Sequence, residues 1–190
     1  ASMDGKPAAR QEIAVTSDRY VQTELFLRHD DTLEGFRLWR PDDPALYDLR
    51  IETLVDGAIA DQVDTYFGMR KIEIILGCVT LNNSPLYQRL VLDQGYWPDG
   101  LLTAPSDDAL RRDVELTLAM GYNGARKHQK FEDPRYLYWA DKLGYICWGE
   151  MASWGIEPAH PHTMNIFLRE WLEVVDRDFS APCIVGWCPY

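Results

Sequence analysis

Basic residues are in short supply in this sequence. Its 190 residues include 19 Lys and Arg against 30 Asp and Glu, which gives a formal net charge of −11. A nucleic-acid-binding protein needs a basic face to contact phosphate, so this balance argues against a nucleic-acid partner. The acidic residues are scattered along the chain, which is typical of a solvated surface rather than an acidic tail.

Long apolar runs are also missing. No stretch approaches the roughly 18 apolar residues of a membrane span, so no membrane partner is expected. No charged segment followed by an apolar one opens the chain, and the compartment stays undetermined because a leader can lie outside this sequence. Apolar residues still make up 46% of the chain, which is enough for a packed core.

Cysteine is scarce, and no C-x-x-C pair occurs among Cys78, Cys147, Cys183 and Cys188. Reduced cysteines packed in a core are therefore expected. The other candidate metal ligands are His160 and His162, an H-x-H pair in a loop. Because no third ligand is near them in sequence, we expect solvated histidines, with no metal site and no cofactor.

The region up to about residue 75 has the pattern of β-strands. Apolar and polar residues alternate in residues 21–27 and again in residues 47–52. Asp56-Gly57 is a turn signal between the second of these strands and the next one. The pattern predicts an antiparallel sandwich. Since an immunoglobulin-like sandwich has ~100 residues, its first strands are expected to be missing.

After residue 81, strand-like and helix-like segments alternate. Helices are predicted after Ser106, after Asp133 and around residues 164–175, between strands at residues 87–92, 123–128, 145–150 and 183–190. This alternation implies parallel strands with right-handed crossovers. Both an open doubly wound sheet and a closed eightfold barrel fit it. The absence of G-x-G-x-x-G counts against a dinucleotide-binding sheet, and four strands would be half of a barrel.

Barrel enzymes hold their working groups at the carboxyl ends of the strands. In this chain those ends carry carboxylates, a guanidinium, an imidazole and large aromatic rings: Asp93, Arg126, His128, Glu150, Trp154 and Trp187. Sugars are bound by this mixture, because aromatic rings stack on apolar sugar faces and charged groups hydrogen-bond hydroxyls.

Six short runs, in the same order and spacing, resemble signatures of glycoside hydrolase family two, the β-galactosidase and β-glucuronidase group. They are LWRPDDPALYDL at 38–49, FGMRKI at 67–72, LNNSP at 81–85, NGAR at 123–126, WGE at 148–150 and WCPY at 187–190. Each run alone is short, and the specificity lies in the ordered set.

The resemblance implies a jelly-roll domain, an immunoglobulin-like sandwich and a barrel that together hydrolyse β-glycosides with retention. Of the two glutamates that do this work, the acid would follow Tyr190 by two residues and the nucleophile would follow the seventh strand. Neither is therefore expected in this chain. The implied fold is an α+β multidomain fragment, with a partial immunoglobulin-like β-sandwich at residues 1–78 and the first half of a (β/α)8 TIM barrel, strands 1–4, at residues 79–190.

The resemblance implies that the strand-end residues named above contact a β-glycoside. The family often has Arg-x-x-His in the second strand, whereas this chain has Arg126-Lys127-His128, so the histidine is displaced by one position. Five of these six residues also have a structural alternative. Glu150 and Arg126 can form an ion pair, Asp93 can cap the following loop, and Trp154 and Trp187 can pack in the core or its rim.

Three functions follow from these patterns. The first is an inactive part of a retaining β-glycosidase that lacks both catalytic glutamates. The second is a non-catalytic carbohydrate-binding protein, and the third is a metal-dependent barrel hydrolase that uses His160 and His162. A half-barrel would also leave two strand edges and an apolar face open, so either self-association through that surface or marginal stability is expected.

Overall fold

The structure is a computed structural model that describes residues 1–15, 21–27 and 36–189. The chain divides into two compact units, one of Ala1–Arg37 with Leu46–Phe67 and one of Leu38–Ala45 with Gly68–Tyr190. The predicted domain boundary between residues 78 and 79 falls within a strand of the second unit. Tyr190, the last residue of the WCPY run, lies outside the described residues.

The first unit contains a four-stranded antiparallel sheet of order β2-β1-β3-β4, formed by β1 (Ser2–Met3), β2 (Lys6–Pro7), β3 (Tyr47–Val55) and β4 (Ala58–Phe67). The predicted turn between the two long strands is confirmed. Asp56 and Gly57 both have positive φ, at 50° and 80°, which is the backbone of a type I′ hairpin turn. Residues 21–27 are described without strand pairing, so the strand predicted there is wrong.

The second unit confirms the predicted alternation of strands and helices. After a small antiparallel sheet of β5 (Ile72–Ile75), β6 (Cys78–Leu81) and β7 (Ser84–Pro85), the order is β8 (Leu90–Asp93), α1 (Asp107–Ala119), β9 (Gly124–Lys127), α2 (Pro134–Leu143), β10 (Ile146–Glu150), α3 (Pro161–Asp178) and β11 (Ile184–Cys188). Within the described ranges no helix is long and apolar enough to cross a membrane.

Local sequence signals fix where the first two of these helices begin and end. The Ser106 hydroxyl accepts the Ala109 N–H at 3.1 Å, and the Asp133 carboxylate accepts the Arg135 N–H at 2.9 Å. Both side chains therefore satisfy backbone donors that the first turn leaves free. Gly144 ends α2 in the left-handed region at φ 73°, as a glycine after a helix commonly does.

The four strands β8 to β11 form one parallel sheet, with the order β11-β10-β9-β8. Each strand thus pairs with the strand that precedes it, and the order does not reverse among the described strands. A doubly wound sheet has such a reversal, at which ligands bind. Because parallel strands point the same way, the loops that follow all four strands lie along one end of this sheet.

The pleat divides the side chains of this sheet between two faces. Leu92, Arg126 and Trp148 are register partners on β8, β9 and β10, so they share one face. The other face is covered by helix α3, whose side chains form a core with Met151 and Trp187. The helices therefore cover one face, and the face of Arg126 is the one available to a ligand.

Residues from the runs at 38–49 and 67–72 form hydrogen bonds near the amino end of this sheet. The Trp39 indole N–H donates to the Asp141 carbonyl at 2.8 Å, and the Asp141 carboxylate accepts the Cys183 N–H at 2.8 Å. The Arg70 guanidinium donates to the carbonyls of Pro182 and Ile184 at 3.0 and 2.5 Å. These contacts hold α2 and the start of β11 in place, and the carboxyl ends of the strands stay clear of them.

Candidate functional site

Arg126 and Glu150 meet at the carboxyl ends of β9 and β10. Arg126 Nε donates to Glu150 Oε2 at 2.5 Å. Trp148 is the register partner of Arg126, and Glu150 lies two residues further along the same face, which brings the pair together. The Glu150 side chain is only 2% exposed, whereas the Arg126 side chain is 42% exposed. The carboxylate thus anchors a guanidinium that still reaches solvent.

The surroundings of Glu150 keep its carboxyl group ionised. Burial raises the pKa of Glu150, but the hydrogen bonds from Arg126 and from the Gln129 N–H, with the positive charge of Arg126, lower it by more, so the pKa lies below its usual value. The same ion pair raises the pKa of Arg126. At neutral pH this pair therefore accepts and donates hydrogen bonds as a carboxylate and a guanidinium.

His128 and Trp154 complete the group around this ion pair. His128 Nε2 lies 3.9 Å from Glu150 Oε1, and His128 Nδ1 lies 3.0 Å from the Gln94 side-chain amide. The His128 ring meets the Trp154 ring edge-on with centroids 5.4 Å apart. Trp154 is 77% exposed, so most of its ring faces solvent. We call Arg126, His128, Glu150 and Trp154 the strand-end cluster.

Asp93 is held away from the strand-end cluster by other contacts. It pairs with Lys127, its neighbour on β9, and its carboxylate accepts the Gly95 N–H at 2.7 Å. The second contact is the loop-capping alternative that the sequence left open. Lys127 also pairs with Glu132 at 2.6 Å and is only 3% exposed. Asp93 therefore belongs to a buried charge network behind the β9 end.

Trp187 likewise lies apart from the strand-end cluster. Its ring packs edge-on against Trp171 of α3, with centroids 5.5 Å apart. It covers the α-carbon of Gly149, where an added Cβ would come within 2.4 Å of the indole ring. These contacts match the packing alternative, since they hold the half-buried Trp187 between sheet and helix.

The histidine pair at the start of α3 has few neighbours that bind metals. The rings of His160 and His162 lie edge-on with centroids 6.4 Å apart. In the described part of the chain, no group of three or more His, Cys, Asp or Glu side chains is arranged to hold a metal ion. The third hypothesis therefore gains no support from the arrangement of these residues.

Gln129 is a residue of this site that sequence reasoning missed. Its backbone N–H donates to Glu150 Oε1 at 2.9 Å, and its side-chain oxygen accepts the N–H groups of Ser153 and Trp154 at 2.8 and 2.9 Å. One signal pointed to it. In the family pattern Arg-x-x-His, counting from Arg126, the histidine position is occupied here by Gln129.

The arrangement suits binding of a polar ring compound. The Arg126 guanidinium still reaches solvent and is available for hydroxyl groups, and the largely exposed indole beside it suits an apolar ring face. Glu150 is ionised and already accepts two hydrogen bonds, so it is unsuited to donate a proton. The side chains of the strand-end cluster therefore suit ligand binding rather than general-acid catalysis.

The sequence is similar to those of one group of enzymes. Residues 3–70 match the family model of glycosyl hydrolases family 2. A β-galactosidase of Vibrio cholerae is 29% identical in an alignment 196 positions long, which covers 96% of this chain and 19% of that protein. A putative β-glucuronidase of Formosa agariphila is 27% identical, over 84% of this chain and 19% of that protein.

Solved structures with a similar fold include β-glucuronidases. A β-glucuronidase from Ruminococcus gnavus, in complex with uronic deoxynojirimycin, superposes with a TM-score of 0.76 at 20% identity over 82% of this chain and 27% of its own. A β-glucuronidase of Parabacteroides merdae gives 0.70 at 21% identity over 80% and 19% of the two chains. The chain thus spans about a fifth to a quarter of the length of such relatives.

Proposed function

We propose, from the premise that this chain is a relative of the glycosyl hydrolases of family 2, that its strand-end cluster binds the sugar of a β-glycoside. The resemblance read from the six sequence runs is confirmed by the family model and by the β-galactosidase and β-glucuronidase relatives. The observation that carries the proposal is the meeting of Arg126, His128, Glu150 and Trp154 at adjacent strand ends.

The sheet is proposed to be the first half of a (β/α)8 barrel, with residues 1–78 as a partial immunoglobulin-like sandwich. Support comes from the sequential order of four parallel strands, with a helix between each pair. A barrel is wound in this way, with each strand laid beside the one before it. The cluster would then lie at the barrel face where such enzymes bind substrate.

The proposed reaction of the complete enzyme is hydrolysis of a β-glycosidic bond with retention. Its general acid needs a raised pKa, and its nucleophile must lie ~5–5.5 Å from that acid. The pKa of Glu150 is lowered and its carboxylate is tied to Arg126, so we assign it to sugar binding and orientation. Both catalytic glutamates are assigned, by the family pattern, to positions after residue 190.

A non-catalytic carbohydrate-binding protein is the second candidate. The observation in its favour is that the strand-end cluster offers hydrogen-bonding groups and an exposed indole, but ionised Glu150 is no proton donor. The two candidates predict different behaviour for a longer protein that continues past Tyr190 through a seventh strand. Such a protein hydrolyses aryl β-glycosides under the first proposal and only binds them under the second.

Calorimetric titration of the chain with 4-nitrophenyl β-galactoside and 4-nitrophenyl β-glucuronide tests the proposed site. We expect binding in the millimolar range or tighter, without release of nitrophenol. Trp154→Ala should weaken it about five- to tenfold, since it removes the stacking surface. Tyr87→Ala is the matched control, because Tyr87 is equally exposed at 77% but precedes β8 at the opposite end of the sheet.

Two outcomes would contradict this assignment. Equal loss of binding in the Trp154 and Tyr87 variants would show that the aromatic contact is not local to the strand-end cluster. Turnover of either glycoside by the 190-residue chain would show that its catalytic carboxylates are present after all.

A further inference from the structure

Gln129 has more polar contacts than any role in the β9 strand requires. It is the second residue beyond the end of that strand at Lys127, with φ at 57°. Its backbone N–H is bonded to Glu150 Oε1, its side-chain oxygen accepts the N–H groups of Ser153 and Trp154, and its side-chain nitrogen donates to Ser153 Oγ at 3.0 Å. One residue thus ties the end of β9 to the end of β10 and to the loop beyond it.

These bonds determine the backbone of Trp154. The loop between β10 and α3 covers residues 151–160, and the Trp154 ring is 77% exposed, so packing does little to hold it. Its ring meets the His128 ring in a T-shaped contact. Because two consecutive N–H groups, those of Ser153 and Trp154, converge on one amide oxygen, the chain direction at Trp154 is set from β9.

We propose that Gln129 is a positioning residue that preforms the Trp154 surface for a sugar ring. This inference rests on the proposed function of the strand-end cluster and identifies the residue that orders the Trp154 loop before a ligand binds. A loop ordered before binding loses little conformational entropy when the ligand arrives, so affinity increases without any new contact to the ligand. The positive φ of Gln129 lets one residue hold Glu150 with its backbone and the Trp154 loop with its side chain.

Substitutions at position 129 separate this role from general stability. Gln129→Leu removes all the side-chain bonds and leaves the backbone N–H to Glu150. Gln129→Glu keeps an oxygen acceptor for both N–H groups, and the Ser153 hydroxyl then donates to the new carboxylate. We expect Gln129→Leu to weaken binding of the 4-nitrophenyl β-glycosides about fivefold, no more than Trp154→Ala does, and Gln129→Glu to retain most of the affinity.

A double-mutant cycle with Trp154→Ala is the decisive measurement. If Gln129 acts by placing the indole, Gln129→Leu should change affinity less than about twofold once Trp154 is alanine. A purely structural contribution would lower affinity by the same factor in both backgrounds, and that result would overturn the proposal. Equal affinity of Gln129→Leu and the parent chain would overturn it as well.

Amide hydrogen exchange gives a test that needs no ligand. The amides of Ser153 and Trp154 should be protected in the parent chain, and the protection should fall in Gln129→Leu. Exchange at unprotected rates in the parent chain would refute the positioning role even if the variant fails to fold. If the parent chain binds no glycoside while both amides are protected as expected, the proposed function is wrong. The structural role of Gln129, which is to order the loop at Ser153 and Trp154, is then still supported.

Discussion

Single side chains in this chain are placed by the alternation of the β-strand, and neighbouring residues of β9 show the result. Arg126 lies on the face of Trp148 and joins Glu150, whereas Lys127 is buried on the other face with Asp93 and Glu132. A shift of one residue along the strand thus separates the ligand-side group from a group of the interior.

Replacement of Lys127 by methionine is expected to destabilise the fold strongly. It leaves the carboxylate of Asp93 without the cation of Lys127, and it leaves the buried carboxylate of Glu132, 4% exposed, with Lys130 as its remaining partner. Losing one partner of a buried ion pair costs about 3–5 kcal/mol. Denaturant unfolding at pH 7 measures the loss. Adding Asp93→Asn and Glu132→Gln to Lys127→Met should restore a substantial part, and no recovery would contradict the charge argument.

The pH dependence of this effect follows from the pKa of Lys127. Burial lowers that pKa, but Glu132 and Asp93 raise it by more, so it lies above its ordinary value. A cation with a raised pKa stabilises the fold fully below its unfolded pKa of about 10.4 and loses that contribution as the pH rises through the folded pKa. The difference in stability between the parent chain and Lys127→Met should therefore stay constant near neutrality and shrink only in alkali.

At the scale of elements, helix ends depend on residues that the sequence displays openly. Ser106, Asp133 and Gly144 all act at the helix boundaries where their types predict them. The element that the sequence predicted wrongly is the strand over residues 21–27, where alternation is present but the described residues pair with no neighbouring strand. A half-buried alternating pattern is satisfied by an extended segment as well as by a strand.

Alanine at Gly144 should cost far more stability than alanine at Gly121. Both glycines follow a helix with positive φ, at 73° and 90°, so both substitutions carry a left-handed strain of about 1–2 kcal/mol. At Gly144 an added Cβ would also lie 2.2 Å from the Pro41 carbonyl oxygen, whereas at Gly121 it meets nothing within 4 Å. We expect Gly144→Ala to lose about 2 kcal/mol more in thermal or denaturant unfolding. Equal losses would show that the Pro41 contact yields easily.

For the whole molecule, the sheet has two outer strands, β8 and β11, in the part that the structure describes. The carbonyl of Ile184, the first residue of β11, accepts a hydrogen bond from Arg70, but Leu92 near the end of β8 is 60% exposed on the face away from α3. Exposed strand edges beside apolar side chains favour pairing with another chain. Self-association of the 190-residue chain through this sheet therefore remains our expectation.

Sedimentation velocity at several protein concentrations tests that expectation. We predict association that increases with salt, because screening weakens the repulsion between copies that each carry a net charge of −11. Leu92→Asp should reduce it. Leu172→Asp is the matched control, a leucine of α3 that is 64% exposed. A monodisperse monomer at all concentrations, or equal effects of the two substitutions, would contradict the proposed surface.

Periodicity and capping residues were enough to predict the strand and helix order after residue 81, and six ordered runs were enough to predict the family resemblance. These are local or linear properties, so they can be read without coordinates. The strand-end cluster was predicted only in part. Arg126, His128, Glu150 and Trp154 meet, while Asp93 and Trp187 are engaged elsewhere.

Only the tertiary structure decided which strand-end residues share a face and a loop. Strand register sets which neighbours lie side by side, and it depends on pairing between segments about twenty residues apart, such as that of Arg126 with Trp148, which brings Glu150 to Arg126. The role of Gln129 also depends on tertiary structure, since its side-chain amide bonds the loop that follows the next strand, β10. The sequence alone determined which elements form and which family they resemble, and their packing in three dimensions decided which side chains can act together.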